Sequence, residues 1–244
     1  MKTILVNAFG GPGSGKTTAA WEICAELKKA GILAEYVSEY AKELVYEMNS
    51  PLKAEAERAK ELLNGTMSSQ SILFAEQKHR IDRLMGQVAV IVTDSPIMLS
   101  AIYAKDRTQE FEDNIIRQFF EYNGFNFVIS RDDAAFETAG RLQNFQEAKQ
   151  KDQEILNMLN RYGIPYEQYT HETLGRLILR IKELSRAFEN AETLTDMQQL
   201  QDHLSGVMLR NDNAKSLVRS LNDQQLELND QIEELQTLES EREE

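Results

Sequence analysis

The sequence predicts an α/β fold: a five-stranded, mainly parallel sheet with helices on both faces, followed by a C-terminal α-helical extension. Three observations predict it. Short apolar runs rich in β-branched residues alternate with segments of helical period through the first 170 residues. The first such run ends at a glycine-rich loop, and that loop opens a helix. The composition then changes. Residues 1–170 carry 19 basic and 24 acidic side chains, whereas residues 171–244 carry 8 and 16 and contain no proline. The expected division is therefore an α/β domain over 1–170 and an acidic helical extension over 171–244.

The elements follow in order. Residues 3–9 form an apolar run that stops at glycines, the mark of a buried strand. Residues 16–30 place Ala20, Ile23, Cys24 and Leu27 at helical spacing and stop at Gly31. Residues 32–38 read as a second strand, 39–49 as a helix ended by Asn49-Ser50-Pro51, and 52–63 and 68–85 as two more helices. In the second of these, Ser68 with Gln70 and Ser71 offers a start signal. The β-branched run 88–94 is a third strand, followed by helices over 96–104 and 110–122 and a fourth strand over 125–130. Residues 131–141 show no period. Residues 144–162 are helical, Gly163 ends them, and 164–169 form a fifth strand.

Composition narrows the function classes. The chain has 244 residues, a formal net charge of −13, 41% apolar and 27% charged residues. That is an ordinary globular balance, able to bury a core. No apolar run approaches the roughly 20 residues that cross a bilayer, so no membrane role is expected. The N-terminal apolar stretch is too short for a signal peptide and lacks a small-residue cleavage site. Cys24 alone cannot form a disulfide framework and reads as a small apolar helix residue. Together these predict a cytoplasmic protein. The acidic balance disfavours non-specific nucleic-acid binding but leaves room for a local basic groove.

The chemistry is carried by Gly10-Gly11-Pro12-Gly13-Ser14-Gly15-Lys16-Thr17, a G-x-x-x-x-G-K-[ST] match followed by Thr18. Glycines let successive N–H groups converge on one concavity, which holds phosphate oxygens. The helix that starts at Lys16 adds the positive end of its dipole. Lys16 reaches the β- and γ-phosphates, and the Thr17 hydroxyl ligates Mg²⁺. Residues Gly11 to Thr18 are thus the expected ATP-binding segment of a P-loop NTPase. The third strand ends in Thr93-Asp94, at the carboxyl edge where α/β sheets bind ligands. There Asp94 meets the Mg²⁺ beside Thr17 and can also cap the next helix, since Ser95-Pro96 follow it. Ser95 stands where a water-activating glutamate often sits in hydrolytic P-loop ATPases. Its presence tilts the reading toward phosphoryl transfer to a bound acceptor rather than simple NTP hydrolysis.

A transferase needs a group that orients or deprotonates the acceptor hydroxyl. Glu39, at the end of the second strand, is the candidate, with Asp94 as the competing base; the alternative for Glu39 is an acid favoured by a helix dipole. Tyr40 reads equally as a stacking ring or as core. Arg131 follows the fourth strand and Arg141 closes the aperiodic segment, so both are candidate lid cations for the transferring phosphoryl group, or else solvated arginines paired with Asp132, Asp133 or Glu137. Trp21 reads as packing. None of His79, His171 and His203 has a partner at metal-ligand spacing.

In order, GGPGSGKTT, SEYAKELVYE, a helix bearing Gln77, VIVTDSP, FNFVISR, GRLQNFQEAKQKDQEI and IPYEQY resemble the P-loop kinases of the nicotinamide-riboside-kinase (NadR-like, AAA-type) family, above all their small phage-encoded relatives. The resemblance covers roughly residues 1–170. It implies an ATP- and Mg²⁺-dependent kinase domain, a five-stranded parallel sheet, and phosphorylation of a nucleoside- or nucleotide-like hydroxyl, in the host cytoplasm if the chain is phage-encoded. Some phage members of this class are thought to phosphorylate 5-hydroxymethyl-pyrimidines in DNA, so DNA is a second acceptor class. Where the riboside kinases have Asp-Thr-Asp, this chain has Thr93-Asp94-Ser95, one acid fewer.

The acidic extension lies outside that pattern. Leu174, Leu177, Ile178, Ile181, Leu184 and Phe188 recur at helical spacing. Thr195–Gln198 fits a capping box opening a second helix, and Asn211-Asp212-Asn213 a turn before a third. Leu221, Leu228 and Leu235 lie seven apart, but Gln224 and Gln231 interrupt the seam. A homo-oligomer contact or a protein-partner arm are both open for 171–244. The remaining alternative class is an NTP-switched binding protein that acts through this tail.

Overall fold

A computed structural model describes residues 2–130 and 145–190. Arg131, Arg141, the aperiodic segment between them, His203 and the helices expected beyond residue 190 lie outside the described residues. One compact unit runs from Met1 to Thr193.

The sheet has five strands, β1 (Ile4–Phe9), β2 (Ala34–Val37), β3 (Val90–Thr93), β4 (Gly124–Ile129) and β5 (Glu167–Tyr169), in the order β2-β3-β1-β4-β5. Every pairing is parallel. β1 sits at the centre and all six of its residues are buried, so both faces of the sheet are covered. The chain leaves β1 toward β2 and β3 on one side and reaches β4 and β5 on the other. That reversal opens a crevice at the carboxyl end of β1.

One face of the sheet packs against α1 (Lys16–Lys29) and α8 (Leu174–Asn190). α1 buries Ala19, Ala20, Ile23, Cys24 and Leu27, and α8 contributes Leu174, Leu177, Ile178 and Ile181. The apolar stripe of α8 thus belongs to the same compact unit as the sheet, and the composition change at residue 171 falls inside that unit. The other face carries α2 (Tyr40–Met48), α3 (Lys53–Leu62), α4 (Met67–Asp82), α5 (Leu99–Tyr103), α6 (Gln109–Phe119) and α7 (Phe145–Arg161). There Leu5, Phe9, Ile91, Met98, Ile115, Phe119, Ile155 and Leu159 form one buried cluster. Among the described residues no helix is long and apolar enough to cross a membrane.

Several boundaries differ from expectation. α5 begins at Leu99 with Met98 as its N-cap, rather than at 96, so Asp94, engaged by Thr17, does not cap it. α4 starts one turn-signal earlier than Ser68: Thr66 is its N-cap, and its hydroxyl accepts from the Ser69 N–H at 3.3 Å. β5 begins at Glu167 rather than 164, because Pro165 has no N–H for the ladder. The Pro165 carbonyl instead accepts from Asn126 Nδ2 at 3.1 Å.

α6 and α7 are tied by Glu112, which is 3% exposed. Its carboxylate accepts from Arg107 at 3.0 Å, Arg161 at 2.9 Å and the Tyr162 hydroxyl at 2.7 Å. A carboxylate that deep is tolerable because cations and a hydroxyl meet both oxygens.

Candidate active site

The glycine loop leaves β1 at the crevice. Gly10 has φ +148°, and a Cβ there would collide with Ser14 Oγ, so only glycine fits. The Ser14 N–H donates to the Gly11 carbonyl at 3.3 Å and closes the turn. Gly15 takes the left-handed φ of +90° and caps α1 without any side chain to satisfy the first-turn amides. Such amides are what an anion meets at a helix start. Ser14 Oγ is buried and has no hydrogen-bond partner. Lys16 Nζ donates to the Gly11 carbonyl at 3.0 Å, so the ammonium lies over the loop.

Thr17 and Asp94 come together from elements 77 residues apart. β3 lies beside β1 with Thr93 opposite Asn7, so Asp94 emerges next to the loop. Its Oδ2 accepts from the Thr17 hydroxyl at 2.6 Å. Asp94 is 1% exposed, and its Oδ1 is buried with no partner. An orphaned carboxylate oxygen beside a hydroxyl is an all-oxygen donor set for a hard cation, which fits Mg²⁺. Among the described residues no cluster of three or more His, Cys, Asp or Glu could hold a metal by itself. Mg²⁺ commonly takes one or two protein oxygens and completes its shell with water and phosphate.

Tyr36, on β2, completes this corner. Burial pushes its phenol far above the ordinary value, and the nearby Asp94 carboxylate pushes it further. Tyr36 therefore stays protonated. Its ring meets Trp21 edge-on at 6.2 Å. Trp21 itself is 58% exposed and lines the cavity described below. The expected packing role is thus limited to one face, because the ring stands at the crevice rim and not in the core.

Glu39 is the N-cap residue of α2, with φ −66°, ψ 115° and no capping bond from its side chain. It lines the cavity. Gln77 fixes this corner. Its Oε1 accepts from the Tyr40 N–H at 3.1 Å, and its Nε2 donates to the Ser38 carbonyl at 3.2 Å and to Thr93 Oγ1 at 3.4 Å. One buried amide thereby links the end of β2, the start of α2 and the end of β3. Arg80 braces the same corner. It holds Glu43 at 2.6 and 2.8 Å and lies over the Tyr40 ring at 4.7 Å. The Arg80 hydrogen bonds hold the Glu43 carboxyl below its usual range.

A cavity of about 1050 Å³ runs from the glycine loop along α2, α4 and α5 to α7. Gly13, Gly15, Lys16, Thr17, Thr18 and Trp21 line one end. Glu39, Lys42, Gln70, Leu73, Tyr103 and Lys151 line the other. Two further residues touch the loop itself. Asp152, on α7, accepts from the Gly11 N–H in a very short hydrogen bond, so α7 is anchored to the loop. His171 follows β5 in a 3₁₀ turn, and its imidazole packs so closely on Gly15 that a Cβ there would overlap Nε2.

The structure therefore brings Lys16, Thr17 and Glu39 to one cavity with Pro12, Gly13, Gly15 and Thr18, and Asp94 joins it through Thr17; Gly11 and Ser14 belong to the loop without lining the cavity, and Arg131 and Arg141 lie outside the described residues. Sequence reasoning missed Tyr36, Gln70, Asp152 and His171. The alternation of β2 gave a signal for Tyr36, since residues two apart share a sheet face. The other three carry no local signal, because each acquires its place only through tertiary packing.

Comparison with known proteins places this geometry. No curated protein matches the chain. Among solved structures, similarity extends to the NadR protein in complex with NR, with 16% identity, 69% of this chain and 43% of that chain covered, and a TM-score of 0.46. This chain thus spans less than half the length of that relative. Thymidylate kinase from Candida albicans gives 14% identity, 78% and 93% coverage and a TM-score of 0.47. The Mycobacterium tuberculosis APS kinase with AMPPNP and APS gives 15%, 75% and 95%, and 0.38. A family model described as an AAA domain matches residues 5–174, from the second residue of β1 to the first of α8. With most of its length inside that match, the chain belongs to the AAA-domain family.

Proposed function

We propose that the chain is a P-loop kinase that transfers the γ-phosphoryl group of ATP, with Mg²⁺, to a hydroxyl of a nucleoside- or nucleotide-like acceptor. The observation that carries this reading is the cavity. It is continuous from the glycine loop to a second compartment walled by Glu39, Leu73, Tyr103 and Lys151. An acceptor needs room beyond that taken by the nucleotide donor, whereas a nucleotide switch or a simple hydrolase has to hold its nucleotide alone.

Bound MgATP supplies the electrophilic phosphoryl group. The chain's own residues do the rest. Amides of Gly13 to Thr17 hold the phosphate oxygens, and the Lys16 ammonium neutralises charge as it spreads in the transition state. Thr17 Oγ1 and the Asp94 carboxylate hold the metal. Glu39, at the mouth of the second compartment, takes the acceptor hydroxyl's proton. Arg131 and Arg141 are proposed to close over the transferring group and exclude water.

The test is phosphoryl transfer from γ-labelled ATP to a panel of nucleosides, nucleoside monophosphates and hydroxymethylated DNA. Label on a nucleoside or nucleotide supports the reading. Label on DNA alone would replace the acceptor class. Release of inorganic phosphate at one rate, with and without every acceptor, would refute a kinase.

A further inference from the structure

α4 presents two glutamines to the same side of the fold, seven residues apart. Gln77 is 4% exposed and Gln70 is 6% exposed. Their surroundings differ. The Gln77 carboxamide has three protein partners. The Gln70 backbone N–H donates to the Thr66 carbonyl at 2.9 Å, as a helix requires, but its carboxamide has no hydrogen-bond partner among the described residues. Gln70 lines the cavity, as do Leu73, Val45, Leu63, Ile102 and Tyr103. With no protein partner and a place on the cavity wall, its donors and acceptor are available to a ligand.

Three of the neighbouring cations are already engaged; Lys42, which also lines the cavity, has no ion-pair partner among the described residues. Lys105 Nζ donates to the Asn64 carbonyl at 3.0 Å, Arg107 pairs with the buried Glu112 at 3.0 Å, and Lys151 pairs with Glu154 in a very short contact. The lining thus combines apolar side chains with the Gln70 amide and the Lys42 ammonium.

We infer that Gln70 is a specificity-determining residue: its carboxamide reads the edge of a planar, uncharged ring in the acceptor, where an N–H donor and a carbonyl or ring-nitrogen acceptor lie side by side. A carboxamide offers the complementary pair, as amide side chains do on adenine. The ring class is a neutral nucleobase with a donor and an acceptor side by side on one edge. The inference rests on the second compartment being the acceptor site of the proposed kinase. A site built to hydrogen-bond a substrate N–H rejects analogues that lack it far more strongly than an apolar pocket rejects an extra methyl.

The experiment compares the full chain with Gln70→Leu, and with Gln70→Met as a second near-isosteric variant. Three readouts are taken: calorimetric binding of pyrimidine, purine and nicotinamide nucleosides with their monophosphates, transfer kinetics, and thermal unfolding without ligand. Ring-N-methylated nucleosides, which lack the donor, are included. The wild type is expected to prefer one intact ring over its methylated analogue by about 100-fold, and the variants by less than about 3-fold. The loss should fall on acceptor KM more than on kcat. Without ligand, the variants should unfold at the same or a higher temperature, because the amide they lack has no partner to lose.

The inference is overturned if the variants keep the wild-type ratio of intact to methylated ring while transfer proceeds; the kinase reading then stands alone. It is equally overturned if the variants melt several degrees lower with nucleoside binding unchanged, which marks a structural amide. Gln70-dependent binding without transfer would uphold the inference and refute the kinase reading. Absence of any nucleoside binding by the wild type refutes it outright.

Discussion

The two ends of the cavity are built in opposite ways. At the phosphate end, eight consecutive residues do most of the work, and they do it with backbone amides, a lysine and a threonine. At the proposed acceptor end, the walls come from residues spread between Glu39 and Glu154, most of them on α2, α4, α5 and α7. The backbone end has little freedom to vary, since Gly10 and Gly15 tolerate no Cβ. The side-chain end can change its acceptor by changing residues that do not hold the fold. Gln77 and Gln70 show the border between them, one amide spent on structure and the other left for a ligand.

The comparison can be broken first at the phosphate end, where the largest effects are expected. Lys16→Ala and Asp94→Asn should each reduce phosphoryl transfer by about 10²–10³-fold or more, with the circular-dichroism spectrum unchanged. A wild-type rate in Asp94→Asn would remove its metal role. Next, Glu39→Gln should lower kcat by about 10²–10⁴-fold while leaving nucleotide binding near wild type. If acceptor KM alone changes, Glu39 positions the acceptor and does not take its proton.

These effects divide along the same line as legibility. The glycine loop was readable because its function needs a contiguous backbone turn between a strand and a helix. Asp94 and Glu39 were readable because both end strands, and strand ends in a parallel sheet share one rim. Gln70 was not, because a polar residue on an amphipathic helix looks the same whether it faces solvent or a cavity. Asp152 and His171 were hidden for a related reason. Each lies far along the chain from the loop it touches, and only the β4-β5 side of the sheet brings it back. The late start of β5 was missed: the reading over 164–169 passed over Pro165, whose missing N–H is the signal for it. The stripe Leu174 to Ile181 was legible as a covering helix, yet the charge shift at residue 171 gave no sign that this helix sits against α1.

A smaller effect sharpens the contrast between the two glutamines. Gln77→Leu strands the Tyr40 N–H and the Ser38 carbonyl. It should cost about 1–3 kcal/mol in denaturant unfolding and slow transfer through the misplaced Glu39 corner. Gln70→Leu should show the opposite sign in stability. Equal losses for both would erase the distinction.

The smallest effect lies away from the cavity. The Tyr122 hydroxyl donates to Asp82 at 2.6 Å, and burial, with that bond second, pushes its phenol up to about 12. A raised phenol favours the folded state fully below the ordinary tyrosine value of about 10. That contribution is lost as pH rises from there through the folded value. Unfolding free energy followed from pH 9 to 12 should therefore fall less steeply in Tyr122→Phe than in the wild type. Parallel slopes would remove Tyr122 as a contributor.

The most direct test of the central claim is a calorimetric titration of the purified chain with a non-hydrolysable ATP analogue, with and without Mg²⁺. One site per chain is predicted, tightened by Mg²⁺ and lost in Lys16→Ala. Absence of binding, or binding that Lys16→Ala leaves unchanged, would contradict it.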